Sequence, residues 1–224
     1  ITFVDSDDYI ADDSLKTLFE ILATHPDYDL LEYPVYEHYG SSKIHLLQFQ
    51  RREYSDPLAY WLEGKAYLHA YAWNKIYRKE VFDKVKFPER RNFEDIYTLP
   101  SILRNCHMMA TTDVGLYYYC YNPEGITQKA TTNDLTHLLS AHIRALRQII
   151  AALKRRRHDK GLSALLPAYY EQVLNIQLDV YHACGRLSKD FPILHYRNTL
   201  KLKLLHFLGL KRLCQLHKIF RYRH

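Results

Sequence analysis

The sequence predicts an α/β fold, a mixed sheet flanked by helices, followed by a C-terminal α-helical region. Three observations lead there. The chain opens on an apolar, strand-like run that ends in acids, Ile1-Thr2-Phe3-Val4-Asp5-Ser6-Asp7-Asp8. Short β-like and amphipathic helical stretches then alternate to about residue 130. Beyond that point the apolar spacing becomes helical and stays so. The expected organisation is therefore residues 1–130 as the α/β part and 131–224 as a basic helical subdomain. A chain of 224 residues is long enough for one substantial core with an appended helical part.

Taken in order, residues 1–8 read as a buried strand. Asp12 to about Thr24 reads as an amphipathic helix with Leu15, Leu18, Phe19 and Leu22 on its apolar face, capped by Asp12, Asp13 or Ser14. Leu30-Leu31-Glu32-Tyr33-Pro34-Val35-Tyr36 reads as a strand that leaves the core at Pro34. Residues 37–55 are polar and irregular, a surface hairpin or loop. Asp56-Pro57 opens a helix to about Glu63, with proline in its first turn. Ala72-Trp73-Asn74-Lys75-Ile76-Tyr77 reads as a short strand or turn, and a helix follows from about Lys79 to Lys84.

The loop from Phe87 to Asp95 leads into a helix reaching about Asn105, where Pro100 is tolerable only in the first turn. Thr112 to Cys120 is a second β run, and Asn122-Pro123-Glu124-Gly125 turns the chain. From Asn133 onward, apolar residues keep i, i+3, i+4 spacing for five turns. The pattern returns from Leu165 to Tyr181, with Gly185 as a stop. A last basic helical region starts near Leu194 and breaks at Gly209.

Composition narrows the class. Hydrophobic residues at 47% and charged residues at 25% are ordinary for a soluble globular protein. No apolar run reaches the roughly 18 residues of a membrane span, and no signal peptide precedes the first strand. The abrupt opening without Met predicts a piece of a longer chain. Cys106, Cys120, Cys184 and Cys214 are far apart with no C-x-x-C pair, the pattern of reduced thiols in a cytoplasmic protein. The formal charge of +6 is uneven: acids dominate the first third, whereas Lys154 to Arg157 and Lys201 to Arg223 are strongly basic. Such a tail favours an anionic partner such as a membrane surface, a nucleic acid or another polyanion.

The acids at the first strand end are the best candidate for chemistry, because strand ends in α/β folds open onto ligand crevices. Three carboxylates within four residues repel one another unless a cation or a set of donors lies between them. Oxygen ligands suit Mg2+ or Mn2+, which keep positions open for substrate phosphates. An EF-hand loop is excluded, since Tyr9 and Ile10 stand where a ligand and a glycine belong. A phosphatase-type aspartyl nucleophile fits poorly, because Asp8 is followed by Tyr9. The remaining structural reading is that these acids flank a helix N-terminus. His69 and His107 have no second histidine at metal spacing and read as structural or exposed.

Asp5-Ser6-Asp7-Asp8, Trp73-Asn74-Lys75-Ile76-Tyr77, Phe87-Pro88, Glu94-Asp95 and Tyr118-Tyr119 follow in that order. Together they resemble the second half of a family 2 glycosyltransferase of the GT-A fold, of the bacterial surface-polysaccharide type. The resemblance covers residues 1 to about 130. It implies transfer of a sugar from a nucleotide-sugar donor, UDP-linked above all, to a hydroxyl of a glycan or lipid-linked acceptor. It also implies Mn2+ or Mg2+ held by Asp7 and Asp8, with Asp5 on the metal or the nucleotide sugar. Asp95 matches the family's catalytic base, which implies inversion at the anomeric carbon. Glu94, Trp73, Asn74 and Lys75 would line the acceptor or sugar pocket, Lys75 near the diphosphate.

Two departures qualify the resemblance. Gly125-Ile126-Thr127 has Gly where the family often has Ser, and the Gln-x-x-Arg-Trp motif of processive synthases is absent, which favours single addition. The family's upstream nucleotide-binding half is not in this chain, so the piece alone is expected to bind donor weakly and to be inactive. The tail from 194 to 224 would hold the enzyme peripherally at the cytoplasmic membrane face. The competing reading is a non-enzymatic basic helical module for membrane or nucleic acid. Nucleic acid is the less expected partner, because the basic residues alternate with leucines rather than aromatics. A phosphotransferase using Asp5 or Asp7 ranks last.

Overall fold

The computed structural model describes residues 1–125, 128–156 and 159–221. Ile126, Thr127, Arg157 and Arg223, all used in the sequence reading, lie outside the described residues. The chain forms a mixed α/β fold with two mixed sheets and a C-terminal helical region. It divides into two compact units, residues 1–88 with 98–129, and residues 89–97 with 130–224.

The first unit carries both sheets. One has the order β5-β7-β2-β6, from β5 (Arg52–Tyr54), β7 (Met109–Thr111), β2 (Leu30–Glu32) and β6 (Lys75–Tyr77). In it β2 runs parallel to β7 and antiparallel to β6. The other has the order β1-β8-β3-β4, from β1 (Tyr9–Ile10), β8 (Tyr117–Cys120), β3 (Val35–Tyr39) and β4 (His45–Leu47). The predicted strand 30–36 is thus two strands, and Tyr33-Pro34 is where the chain passes from one sheet to the other. Proline serves at that crossing because it donates no ladder bond, while its carbonyl still accepts from Tyr117 N–H at 3.0 Å.

The predicted buried strand at residues 1–8 is not formed. Thr2 makes a single antiparallel bridge to Ile76, and Ile1 and Val4 are about half exposed. The reason is one-sided pairing: this segment meets the edge strand β6 and then turns at the acids. Residues 37–55, expected as a surface hairpin or loop, hold the end of β3 and all of β4 and β5, and β3 and β4 pair antiparallel. Thr112–Cys120, expected as one β run, pairs only from Tyr117, and β7 lies just ahead of it.

Helix α1 (Ser14–Thr24) has its core stripe rotated from the predicted one. Ser14 and Leu18 are buried, whereas Leu15 and Phe19 are exposed. Gly115 and Leu116 set this rotation. Gly115, at φ +79, leaves no room for a side chain, since an added Cβ would lie 2.9 Å from Leu18 Cδ1. Leu116 N–H donates to Ser14 Oγ at 3.1 Å. Asp13 stands at φ 59 and makes no side-chain cap, so its expected capping role is not realised. Asp56 does cap α2 (Pro57–Leu62), accepting from Leu58 N–H at 2.9 Å. Residues 79–82 form a 3-10 turn rather than the predicted helix. Helix α3 (Glu94–Leu103) accommodates Pro100 beyond the first turn, contrary to expectation.

In the second unit, α4 (Thr132–Arg155) opens with a capping box between Thr131 and Asp134. Helix α5 (Lys160–Cys184) stops at Gly185, which takes the left-handed conformation at φ 69. Helix α6 (Leu200–Arg221) starts later than predicted and kinks at Gly209, at φ 74 and ψ 165. His142 of α4 is buried, with Nδ1 3.3 Å from the hydroxyl of Tyr169 on α5. Burial pushes its pKa down to about 4. A histidine held neutral contributes stability above its unfolded pKa, near 6.5, and loses it as pH falls towards 4. Between pH 7 and 5 this amounts to about 2 kcal/mol. Urea unfolding at the two pH values should show that extra loss in the native chain and not in His142→Gln. Equal pH sensitivity of the two would contradict the assignment.

Candidate active site

The acids Asp5 to Asp8 form a tight turn, with Asp8 N–H donating to Asp5 carbonyl oxygen at 3.1 Å. Strand β8 holds this turn through three hydrogen bonds made by two of its residues. Tyr117 hydroxyl donates to Asp8 Oδ2 at 2.9 Å and accepts from Asp5 N–H at 3.1 Å. Cys120 N–H donates to Asp8 Oδ1 at 2.8 Å. Just beyond the strand, Asn122 Nδ2 donates to Asp7 Oδ2 at 2.8 Å. Antiparallel pairing of β1 with β8, Tyr9 opposite Tyr118 and Ile10 opposite Tyr117, makes this register unavoidable. Sequence reasoning placed the acids and missed these brackets, although a Tyr-rich β run followed by the turn at Asn122 was visible.

The three acids are not equivalent. Asp5 and Asp7 are exposed, whereas Asp8 is half buried with both oxygens hydrogen-bonded. Burial pushes the Asp8 pKa up to about 6, against the opposing pull of Cys120 N–H and Tyr117 hydroxyl and with the help of the Asp7 and Asp5 charges. Asp8 therefore braces the turn, each of its oxygens accepting one hydrogen bond. Among the described residues no three His, Cys, Asp or Glu side chains converge as a metal-ligand set. What the turn exposes is an all-oxygen, incomplete donor set. That chemistry fits Mg2+ or Mn2+, which takes its remaining ligands from phosphate and water.

Removing the Tyr117 hydroxyl tests the bracket. Tyr117→Phe deletes one donor to ionised Asp8, so the Asp8 pKa should rise further above 6. It also removes the acceptor of Asp5 N–H, an exposed group that water then satisfies, so the loss of stability should be that of one ordinary hydrogen bond, about 0.5–1.5 kcal/mol. Carboxyl carbon NMR titration follows the first effect and thermal unfolding the second. An unchanged Asp8 titration would show that the hydroxyl does not hold the turn.

Trp73, Asn74 and Lys75 are not presented to a ligand. Trp73 is 6% exposed and lies between Tyr71 and Tyr117, stacked at 4.4 Å on each. Asn74 and Lys75 are fully buried. Lys75 Nζ donates to the carbonyls of His69 and Tyr71 and to Asn74 Oδ1, at 2.7–2.9 Å, and pairs with Glu32 Oε1 at 2.8 Å. An ammonium so enclosed has no reach to a diphosphate, which corrects the expected pocket role of these residues.

Glu32 is the centre of this network and was not singled out in the sequence. It also takes His69 Nδ1 at 2.8 Å and Tyr60 hydroxyl at 2.7 Å. Burial works to raise its pKa, but His69 and the charge of Lys75 outweigh that and hold it down at about 2. A lone acid inside the apolar run Leu30 to Val35 was the available signal. His69 is structural, as expected. His107 is exposed, with Nδ1 3.6 Å from Asp29 Oδ2.

Glu94 and Asp95 begin α3, both half buried, in the segment 89–97 of the second unit. Asn92 Nδ2 donates to Asp134 Oδ1 at 3.0 Å, and Tyr97 hydroxyl donates to the His137 carbonyl at 3.0 Å. Arg91 lies 5.1 Å over the Tyr97 ring. Between these ties Phe93 is held at φ 60, a conformation a bulky side chain rarely adopts. Strain of this kind, of order 1–3 kcal/mol, persists where the surroundings impose it, often beside functional groups.

No protein-family model matches this chain, and no curated protein does. Solved structures do share its fold. One is S. aureus TarS residues 1–349 in complex with UDP-GlcNAc, at 16% identity and a TM-score of 0.53, covering all of this chain and 68% of that one. The same TarS segment solved by itself gives 17% identity and a TM-score of 0.51, with 66% of that chain covered. The chain thus shares its fold with about two thirds of the TarS segment.

Proposed function

We propose that this chain belongs to an inverting, metal-dependent glycosyltransferase of the family 2, GT-A type. It would move a sugar from a nucleotide donor, a UDP-sugar first, to a hydroxyl of a glycan or lipid-linked acceptor in surface-polysaccharide assembly. The observation that carries the reading is the acidic turn braced by β8, in a chain whose fold is shared with TarS, itself solved with UDP-GlcNAc.

Asp7 and Asp5 would hold Mn2+ or Mg2+, which would supply positive charge beside the departing diphosphate. Asp8, Tyr117 and Cys120 keep the turn in one conformation, so no reorganisation accompanies the charge shift. Asp95 takes the proton from the acceptor hydroxyl as its oxygen bonds to the anomeric carbon. The bond from that carbon to the diphosphate oxygen breaks in the same step, and the anomeric configuration inverts. Glu94 orients the acceptor.

The test is release of UDP by the protein at its natural length, supplied with UDP-sugars, a panel of glycan acceptors and Mn2+. Transfer abolished by EDTA and by Asp7→Asn, with an inverted linkage by NMR, is expected. No nucleotide release above the Asp7→Asn background from UDP-, GDP- or dTDP-sugars would overturn the proposal.

A further inference from the structure

Helix α6 buries one side and leaves the other uncovered. Leu202, Leu205, Leu213 and Cys214 are buried. On the opposite side of the first half, Leu200, Leu204 and Phe207 recur at four- and three-residue spacing, with Leu200 and Phe207 each 74% exposed. Lys203 is exposed within the same stripe. After the Gly209 kink, Leu216, Ile219 and Phe220 form a second exposed apolar stripe, beside exposed Lys211 and Arg212. A surface groove of about 630 Å3 adjoins it, lined by Tyr181, Leu208, Leu216 and Ile219 among others.

Charge says what covers this side. From Phe191 to His224 there are eight Lys or Arg and no Asp or Glu. A second copy would bring the same positive charge against itself. Nucleic acid would meet the cations but leave the leucines and phenylalanines in water. An anionic bilayer surface satisfies both, taking apolar side chains at the acyl boundary while headgroups face the cations. No described helix is long and apolar enough to cross a membrane, so the contact lies in the interface.

We propose that the exposed side of α6 docks on an anionic lipid surface, Leu200, Phe207 and Phe220 entering it and Lys203, Lys211 and Arg212 pairing with headgroups. This rests on the surface alone and stands independently of the transferase reading.

Co-sedimentation of the chain with vesicles tests it. Partition onto phosphatidylcholine vesicles carrying phosphatidylglycerol should exceed that onto phosphatidylcholine alone by about tenfold or more, and should fall as salt rises. Lys203→Glu with Lys211→Glu should lower it about tenfold, and Phe207→Ser with Phe220→Ser by a similar factor. These side chains are exposed, so helicity by circular dichroism should be retained. Should a variant not fold, the lipid and salt comparisons on the unaltered chain still decide. Equal partition onto neutral vesicles, or none onto either, would overturn the proposal. So would a dimer abolished by Phe207→Ser without vesicle binding, or preferential binding of a DNA duplex.

Discussion

Lys75→Met is expected to destabilise the first unit by about 3–5 kcal/mol, because it leaves Glu32 charged and buried without its cationic partner. For a domain of this size that corresponds to a drop in melting temperature on the order of 10 °C. Glu32 is fully buried, and its low pKa exists only because Lys75 and His69 outweigh the penalty of burial. With the ammonium gone, the carboxyl should titrate higher, and stability should recover in part as pH falls and Glu32 is protonated. Lys75→Met combined with Glu32→Gln should recover part of the loss at neutral pH, since the uncompensated charge is removed. Scanning calorimetry of both variants reads this directly. A Lys75→Met chain as stable as the native one would mean the ammonium is not enclosed. Loss of donor affinity with no change in stability would return Lys75 to the ligand role that its place in the sequence suggested.

The second large effect belongs to Asp95. In the proposed reaction, Asp95→Asn keeps the shape of the side chain and removes the proton acceptor. The turnover rate should fall about 10²–10⁴-fold, while affinity for the nucleotide donor and melting temperature stay near native. The expected split between rate and binding distinguishes a base from a helix-start acid, whose loss would lower stability by about 0.5–2 kcal/mol and leave the rate alone. Single-turnover kinetics with saturating donor gives the rate, and a donor titration gives the affinity. A tenfold weaker donor affinity with an unchanged rate would move the base role elsewhere.

These two residues illustrate how far the chain could be read before its structure. Element types from residue 130 onward were legible, because long amphipathic helices repeat one period many times and Gly185 and Gly209 interrupt it where φ turns positive. The short strands were less so: β2 and β3 are separated only by Tyr33-Pro34, and local pattern cannot tell one bent strand from two strands in different sheets. The helix α1 stripe was misplaced because Gly115, a hundred residues on, decides which side Leu18 faces. At the candidate site, the acids Asp5, Asp7 and Asp8 were visible as a cluster, but their unequal burial comes from Tyr117 and Cys120 and is a tertiary fact. Trp73, Asn74 and Lys75 were read as pocket residues from motif position, whereas burial turns them into framework. Lysine is so rarely buried that only the partner Glu32 could have signalled it.

The central claim is that Asp5 and Asp7, in the turn braced by Asp8, hold a divalent cation against a nucleotide diphosphate. Thermal unfolding of the protein at its natural length, with and without UDP and Mn2+, tests it most directly. UDP at about a hundred times its dissociation constant adds roughly 2.7 kcal/mol, a rise on the order of 5–10 °C. The account expects that rise with UDP and Mn2+ together, little with either alone, and none in Asp7→Asn. An equal rise in Asp7→Asn, or no rise with UDP, GDP or dTDP in the presence of Mn2+, would contradict it.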